Sequence, residues 1–518
     1  MTDTTVADAD TELVDAPPLP RVARVGIGVA VAVGVVARFV ADTPLWLDEA
    51  LSVNIADVPL GQLDDALRQD GHPPLYYALL KGWMQVVGDG DAAVRALSGL
   101  LSVATLPLAW IAGRRLGGDR LAWLSLGLFA VSPFAIRYAT EARMYSLLTL
   151  LALALWLLID DARHDPAPAR LAGIAVVAAG LCWTHYWSFY LLAAFGLWAL
   201  VAAWRGLPDF SRSSGARVAG ALVVGGLLFV PWVPALLDQL AHTGTPWGDP
   251  SRPAEVAVLT VFELGGGPRS EAQLLALVVL LLALLGLFGR AGDEKRVELD
   301  VRVSGRPLEL AALTATTMGL GLLVGVVTAS TFQPRYAAVV VPFILLLAAR
   351  GLGCLRGPVL GAVTGVTLVA GLAVGVGVSG LDRSQGETVA SVINAEGSGG
   401  DLVIFCPDQL GPSTDRYLDE TLAAATFPEG DAPQRVDWRD YADRVAEADP
   451  VAFANEISVG HAGTIWVVMA TSYRSLEGVC EQIPAALGAE RTGVLVVRPD
   501  NDFYEPATLY RFDPLPSP

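Results

Sequence analysis

Four short stretches of this 518-residue chain carry residue types suited to acid–base and anion chemistry. The first, Pro44-Leu-Trp-Leu-Asp-Glu-Ala50, sets two adjacent carboxylates, Asp48 and Glu49, just past an apolar run. A carboxylate within hydrogen-bond reach of a substrate proton can remove it. A solvated charge pair at a membrane boundary is the competing reading, because ionisable groups cost little there. The second stretch, Gly71-His-Pro-Pro-Leu-Tyr-Tyr77, adds His72. An inert anchor does not explain a histidine and a carboxylate pair in one short loop. The third, Ile136-Arg-Tyr-Ala-Thr-Glu-Ala-Arg-Met-Tyr145, carries Arg137, Glu141 and Arg143. If it enters the helix that follows, Arg137, Glu141 and Tyr145 share a face; a local salt-bridge cluster is the alternative. The fourth, Gln333-Pro-Arg-Tyr336, offers Arg335. A guanidinium matches the oxygens of a phosphate, although a lone arginine can also snorkel toward lipid.

What must position these residues is a membrane-embedded scaffold. Hydrophobic residues make up 53% of the chain and charged residues 17%, with a mean hydropathy of +0.49. That is too apolar for an ordinary soluble enzyme. Apolar runs of about twenty residues recur near 22–41, 93–113, 121–136, 144–160, 170–185, 187–204, 218–236, 272–289, 309–330, 337–350 and 358–380. The pattern predicts about eleven spans. With the N-terminus inside, the arginine-rich segments fall on the cytoplasmic side through every loop, and all four polar stretches fall outside. The reading is therefore an all-α polytopic membrane protein of the plasma membrane. Residues 1–20 form an acidic, disordered cytoplasmic tail, 21–380 the transmembrane domain with a first outer loop at 42–92, and 381–518 a small extracytoplasmic α/β domain.

In the first outer loop, Leu60, Leu63, Ala66 and Leu67 fall at helical spacing opposite Asp64, Asp65 and Arg68. This predicts an amphipathic helix lying in the interface. A second interfacial helix should follow the Pro-Pro pair. In the C-terminal domain, Asp401–Phe405, Gly463–Met469 and Val494–Val497 read as strands. Cys406 and Cys480 lie there, where a disulfide can form and persist; two unpaired buried thiols are the alternative. Cys182 and Cys354 sit in apolar runs and read as small hydrophobes.

The formal charge of −18 argues against nucleic acid as a partner. No zinc-type cysteine pattern, nucleophile elbow or phosphate-binding loop occurs in the sequence. Trp232, Pro246 and Trp247 can stack on a sugar or merely anchor at the interface. Gly265-Gly-Gly267 reads as a flexible cover or a turn.

The Trp-Leu-Asp-Glu motif after the first helix, the Gly-His-Pro-Pro-Leu-Tyr-Tyr loop, the Arg-Tyr-Ala-x-Glu-Ala-Arg-Met-Tyr segment and the late Arg-Tyr occur in one order on one membrane side. In these features the chain resembles membrane glycosyltransferases of the GT-C class. The nearest subgroup is the bacterial family 39-like proteins, related to dolichyl-phosphate-mannose protein mannosyltransferases and lipid A aminoarabinose transferases. The resemblance spans about residues 20 to 350 and excludes the C-terminal domain. It implies a GT-C-like fold and a polyprenyl-phosphate-linked sugar donor drawn from the lipid bilayer. It also implies an extracytoplasmic acceptor hydroxyl on a glycan, lipid or protein, with Asp48 as general base and Arg335 and Tyr336 at the donor phosphate. His72, Arg143 and Arg137 are further candidates for the phosphate. Glu49, Glu141 and Tyr145 are candidates to hold acceptor or shape the site. A single base and no convincing nucleophile imply inversion at the sugar. The scheme requires no metal or cofactor, and leaves room for a divalent cation at Glu141.

Two other readings compete. A lipid-linked sugar flippase or transporter is also polytopic, but usually places its ionisable groups near mid-membrane. The third reading is a non-catalytic envelope scaffold.

Overall fold

The computed structural model describes residues 17–244, 248, 252–267, 270–291, 296–471, 473 and 476–515. Residues 1–16 of the acidic tail, and Pro246 and Trp247, lie outside the described residues. The chain forms two compact units. One comprises Met1–Ala41, Arg95–Trp232 and Pro250–Gly380, the other Asp42–Val94, Val233–Asp249 and Leu381–Pro518.

The first unit is a helical bundle. Among the described residues of the chain, seven helices are long and apolar enough to cross a membrane, and Pro168–Thr184 and Val341–Cys354 are shorter apolar helices. The protein is an integral, multi-pass membrane protein. The first helix, Arg21–Ala37, ends earlier than its apolar run. Arg38 terminates it by donating to the carbonyls of Gly34, Phe129 and Ala130 and to the Ser102 hydroxyl. The runs at 93–113 and 121–136 are joined without a loop, in one element, Asp91–Val131, broken at Gly117 and Gly118. Gly118 has φ 66°, a left-handed conformation suited to glycine. The second run ends at Val131, and Pro133–Ala139 is a separate short helix whose first turn is capped by Ser132. A feature the periodicity did not show is helix Pro253–Leu264.

Helices Ser270–Phe288 and Val341–Cys354 pack backbone to backbone. A Cβ on Gly286 would overlap the Leu347 carbonyl, and one on Gly351 that of Leu282. Glycines at such a crossing let van der Waals contact replace the absent hydrophobic drive in lipid. At one end of the bundle Asp160, Arg163, Arg306 and Glu309 form an ion-pair network joined by Arg115.

The second unit is built on a five-stranded sheet. A short hairpin of the first unit supplies β1 (Gly289–Ala291) and β2 (Val297–Leu299). The sheet contains β3 (Leu402–Cys406), β4 (Ala423–Thr426), β5 (Ile465–Met469), β6 (Gly493–Val497) and β7 (Thr508–Phe512), in the order β4-β3-β5-β7-β6. β3 is parallel to both β4 and β5, and β7 is antiparallel to its two neighbours. Three of these strands follow from the sequence; β4 and β7 do not. Cys406 and Cys480 are disulfide-bonded, while Cys182 and Cys354 are buried thiols outside that bridge.

Just past β3, Asp408 is buried and accepts from the Tyr441 hydroxyl at 2.6 Å. Burial pushes this carboxyl up to about 7 from 3.8, against the pull of Tyr441 and Arg444. Between those two values the folded chain holds a proton that the unfolded chain releases. Stability from this group is therefore full at acid pH and falls as pH rises toward about 7. Asp408→Asn keeps the acceptor oxygen and should flatten that stretch of the profile. Thermal unfolding of the full chain at pH 5 and pH 8 checks it: the wild type should lose more on the alkaline side than the variant.

Candidate functional site

The residues singled out by sequence divide between the two units, Asp48, Glu49 and His72 in one and Arg137, Glu141, Arg143, Tyr145, Arg335 and Tyr336 in the other.

In the sheet-containing unit the carboxylate pair opens a helix, Leu47–Asp57. Pro44 precedes it and Pro59 follows it, marking its limits. Two acids in the first turn suit the positive end of the helix dipole. Trp46, its N-cap, is extended and offers no side-chain cap. Glu505, 458 positions away, supplies one: its carboxylate oxygens accept the Leu47 N–H at 3.1 and 3.2 Å. The other end is held by Lys81, which donates to the carbonyls of Ala56, Asp57 and Val58. Glu49 is buried, and the Asp48 carbonyl accepts from Ser52 at 2.8 Å.

Glu505 was not visible in the sequence as a site residue. It is 2% exposed. Burial pushes it up to about 8, while the Ser384 hydroxyl and the Leu47 N–H pull it back and the Asp48 charge pushes it further. Glu505 therefore meets the backbone of this helix one residue before Asp48.

His72 follows helix Leu63–Asp70, which buries Leu63, Ala66 and Leu67 but leaves Leu60 exposed outside it. Gly71, at φ 86°, reverses the chain. His72 Nδ1 lies 2.9 Å from Asp70 Oδ2, and Tyr77 Oη donates to the same oxygen at 2.7 Å. Asp70 therefore orients the imidazole, a role the sequence did not suggest. Gln239 Nε2 donates to the carbonyls of Leu67 and His72, and Arg68 lies between Asp64 and Asp238. These contacts tie the turn to helix Val233–His242.

In the helical unit the third and fourth polar stretches come together. Arg137 pairs with Glu141 at 3.4 Å and with Glu263 at 3.0 Å, and Tyr138 also donates to Glu263. Two residues past Tyr336, the Ala338 carbonyl accepts from Thr149 of helix Tyr145–His164 at 3.2 Å. The segment between Pro133–Ala139 and Tyr145–His164 is a turn closed by Arg143 N–H on the Glu141 carbonyl. Arg137, Glu141 and Tyr145 therefore share no helix face. Tyr145 joins the cluster through the Tyr138 ring, with centroids 4.9 Å apart. Arg143 is buried, and its carbonyl accepts from Ser98 at 3.1 Å.

His185 links the two stretches. It lies in the reversal between Pro168–Thr184 and Ser188–Arg205, 6.0 Å from the Tyr145 ring and 5.1 Å from that of Tyr336. Trp187 lies 5.6 Å from Tyr336. Neither Glu263 nor His185 was selected from the sequence. The signal for each is a polar side chain interrupting an apolar run. Of the residues considered for sugar stacking, Trp232 donates to the Tyr186 hydroxyl at 3.1 Å. Gly266 gives its carbonyl to Arg137. Among the described residues, no group of three or more His, Cys, Asp or Glu side chains is placed to hold a metal ion.

Chemically, the sheet-containing unit offers carboxylates fixed at the start of one helix, and the helical unit offers Arg137 and Tyr138 held by the buried acids Glu141 and Glu263. Residues 71–234 match the model of the dolichyl-phosphate-mannose-protein mannosyltransferase family. No protein of curated function matches the sequence. The fold is similar to that of ArnT from Cupriavidus metallidurans. Its apo structure gives a TM-score of 0.60 at 14% identity, covering 94% of this chain and 97% of that one. The structure of the same protein bound to undecaprenyl phosphate gives 0.59 at 13% identity, with the same coverage. In fold this chain resembles the GT-C membrane glycosyltransferases of the ArnT and protein mannosyltransferase group.

Proposed function

We propose that the protein is an inverting membrane glycosyltransferase that moves a sugar from a polyprenyl-phosphate donor to an acceptor hydroxyl on the extracytoplasmic side of the plasma membrane. The observation that carries this reading is the mannosyltransferase pattern in residues 71–234, within a fold that follows ArnT over 94% of the chain. The solved ArnT complex holds undecaprenyl phosphate, a ligand of the chemistry proposed here.

The roles follow from the chemistry. Asp48 takes the acceptor's proton as its oxygen attacks the anomeric carbon. The bond to the lipid phosphate breaks, and the growing negative charge is met by fixed cations. Arg335 is the first of these, with Tyr336, His72, Arg143 and Arg137 as further donors. Asp70 Oδ2, 2.9 Å from His72 Nδ1, holds the ring in orientation for that role. Glu141 and Glu263 hold Arg137, and Glu49 and Tyr145 shape the surroundings. The reaction needs no cofactor by this scheme, and a divalent cation at Glu141 is compatible with it.

The arginine-rich loops favour a cytoplasmic N-terminus, with residues 381–518 and the loop at 42–92 outside. Purified protein incubated with a panel of polyprenyl-phosphate-linked sugars tests the proposal. Donor-dependent release or transfer of sugar is the expected result. Absence of turnover across the panel, together with movement of intact donor between leaflets of a vesicle, would support a flippase instead.

A further inference from the structure

In an open α/β sheet, ligands gather outside the carboxyl ends of the parallel strands, where the strand order reverses. Here the chain leaves β3 for β4 on one side and returns as β5 on the other, so the reversal lies at the ends marked by Cys406 and Met469. Glu505 is at the same end, because it precedes Thr508, which pairs with Met469. The crevice contains a piece of this chain's own first loop. Trp46, Leu47 and Leu51 share one core cluster with Ile404, Cys406, Ile465, Val467 and Met469. Segment Gly411–Asp415, which follows β3, packs on helix Leu47–Asp57.

Polar contacts fix the register of that insertion. The Leu45 N–H donates to Tyr417 Oη at 2.7 Å, and Tyr417 Oη donates to Asp91 at 2.6 Å. The Leu47 N–H donates to Glu505. Trp46 is edge-on to Tyr504, with centroids 5.6 Å apart, and the Arg383 guanidinium lies 5.4 Å from the Trp46 ring centre. Arg383 and Glu505 are tied in turn: the Glu505 N–H donates to the Arg383 carbonyl, and the Gln385 N–H to that of Glu505. The contacts made by Leu45, Trp46 and Leu47 all fall within three residues of Asp48 on the N-terminal side.

We infer that residues 381–518 form a clamp that sets the Asp48 carboxylate, and that Glu505 is the positioning residue through which it does so. The inference rests on reading Asp48 as the base. Glu505 touches no substrate in this scheme. It satisfies the backbone donor immediately before Asp48 and so fixes the angle at which that side chain leaves the helix. Small displacements of a catalytic group are costly, about 10²-fold per ångström.

The test compares full-length wild type with Glu505→Ala, Glu505→Gln and Glu505→Asp in detergent. It reads amide hydrogen exchange of the peptide covering residues 45–52, and kcat and KM with a polyprenyl-phosphate-linked sugar that the wild type turns over. Expected for Glu505→Ala is exchange at least about 10-fold faster in that peptide, with kcat down about 10- to 100-fold and KM for donor within about twofold. Glu505→Gln keeps an acceptor of the same reach and should restore both. Glu505→Asp keeps the carboxyl group but falls short, so it should fail like Glu505→Ala, and it serves as the test if the alanine variant does not fold. Unchanged exchange at 45–52 in both Ala and Asp variants overturns the clamp, whatever the activity. Faster exchange with undiminished kcat overturns the positioning role of Glu505, and Asp48→Asn in the same assay shows whether the premise fails too: a wild-type rate there means that the base is not Asp48.

Discussion

Asp48→Asn should lower turnover by about 10³-fold while leaving donor binding intact, the largest effect expected of any single change in this protein. The substitution keeps size and hydrogen-bonding capacity but removes the lone pair that accepts the acceptor's proton. Because helix Leu47–Asp57 is fixed at both ends, by Glu505 and by Lys81, the amide should occupy the carboxylate's place without disturbing the fold. Initial-rate kinetics with a polyprenyl-phosphate-linked sugar, alongside direct binding of polyprenyl phosphate, separate the two effects. A variant that keeps rates within about threefold of wild type would remove Asp48 from the chemistry. Glu49→Gln serves as the control for the neighbouring charge. It should cost far less in kcat, because Glu49 is assigned no proton transfer.

The second large effect is expected at Arg335. Arg335→Ala should reduce kcat by about 10² to 10³-fold and weaken binding of polyprenyl phosphate, because a preorganised cation is lost where negative charge develops. Arg335→Lys should recover only part of this, a point charge replacing a planar fork. The distinctive outcome is the combination. Asp48→Asn spares phosphate binding and Arg335→Ala does not, so a polyprenyl-phosphate titration of both variants separates their roles. If Arg335→Ala binds and turns over like wild type, the positive bank must be centred instead on Arg137, which the structure holds between Glu141 and Glu263.

Much of the scaffold was legible because its signals are local. Apolar runs and the Pro-Pro turn each report on neighbours in sequence. Helix Leu63–Asp70 and helix Leu75–Val87 were likewise readable from periodicity and proline. Strand β4 was not, because Ala423-Ala-Ala-Thr426 has little β-propensity and is held in place as an edge strand by pairing with β3. Strand β7, Thr508–Phe512, has apolar and polar residues that do not alternate simply, since it lies between β5 and β6.

The site was half legible for the same reason. Short motifs pointed to Asp48, His72, Arg137 and Arg335, whose residue types speak for themselves. Their supports did not. Glu263 lies 126 positions from Arg137 and Glu505 458 from Leu47; a lone acid in an apolar or terminal stretch carries no mark of the partner it serves. The face-sharing of Arg137, Glu141 and Tyr145 failed because residues 140–144 are not helical, so a spacing of four carried no geometric meaning there.

The unit that carries Asp48 is assembled from three stretches far apart along the chain. Glu505 and β7 come off the ribosome long after Asp48 itself. Domains form as their parts are synthesised, so helix Leu47–Asp57 waits through most of translation for the crevice that receives it. A nascent chain halted before residue 505 would already contain residues 21–380, yet the Leu47 N–H would lack its Glu505 acceptor. On the proposed role of Asp48 as base, competence is deferred to the last steps of biogenesis.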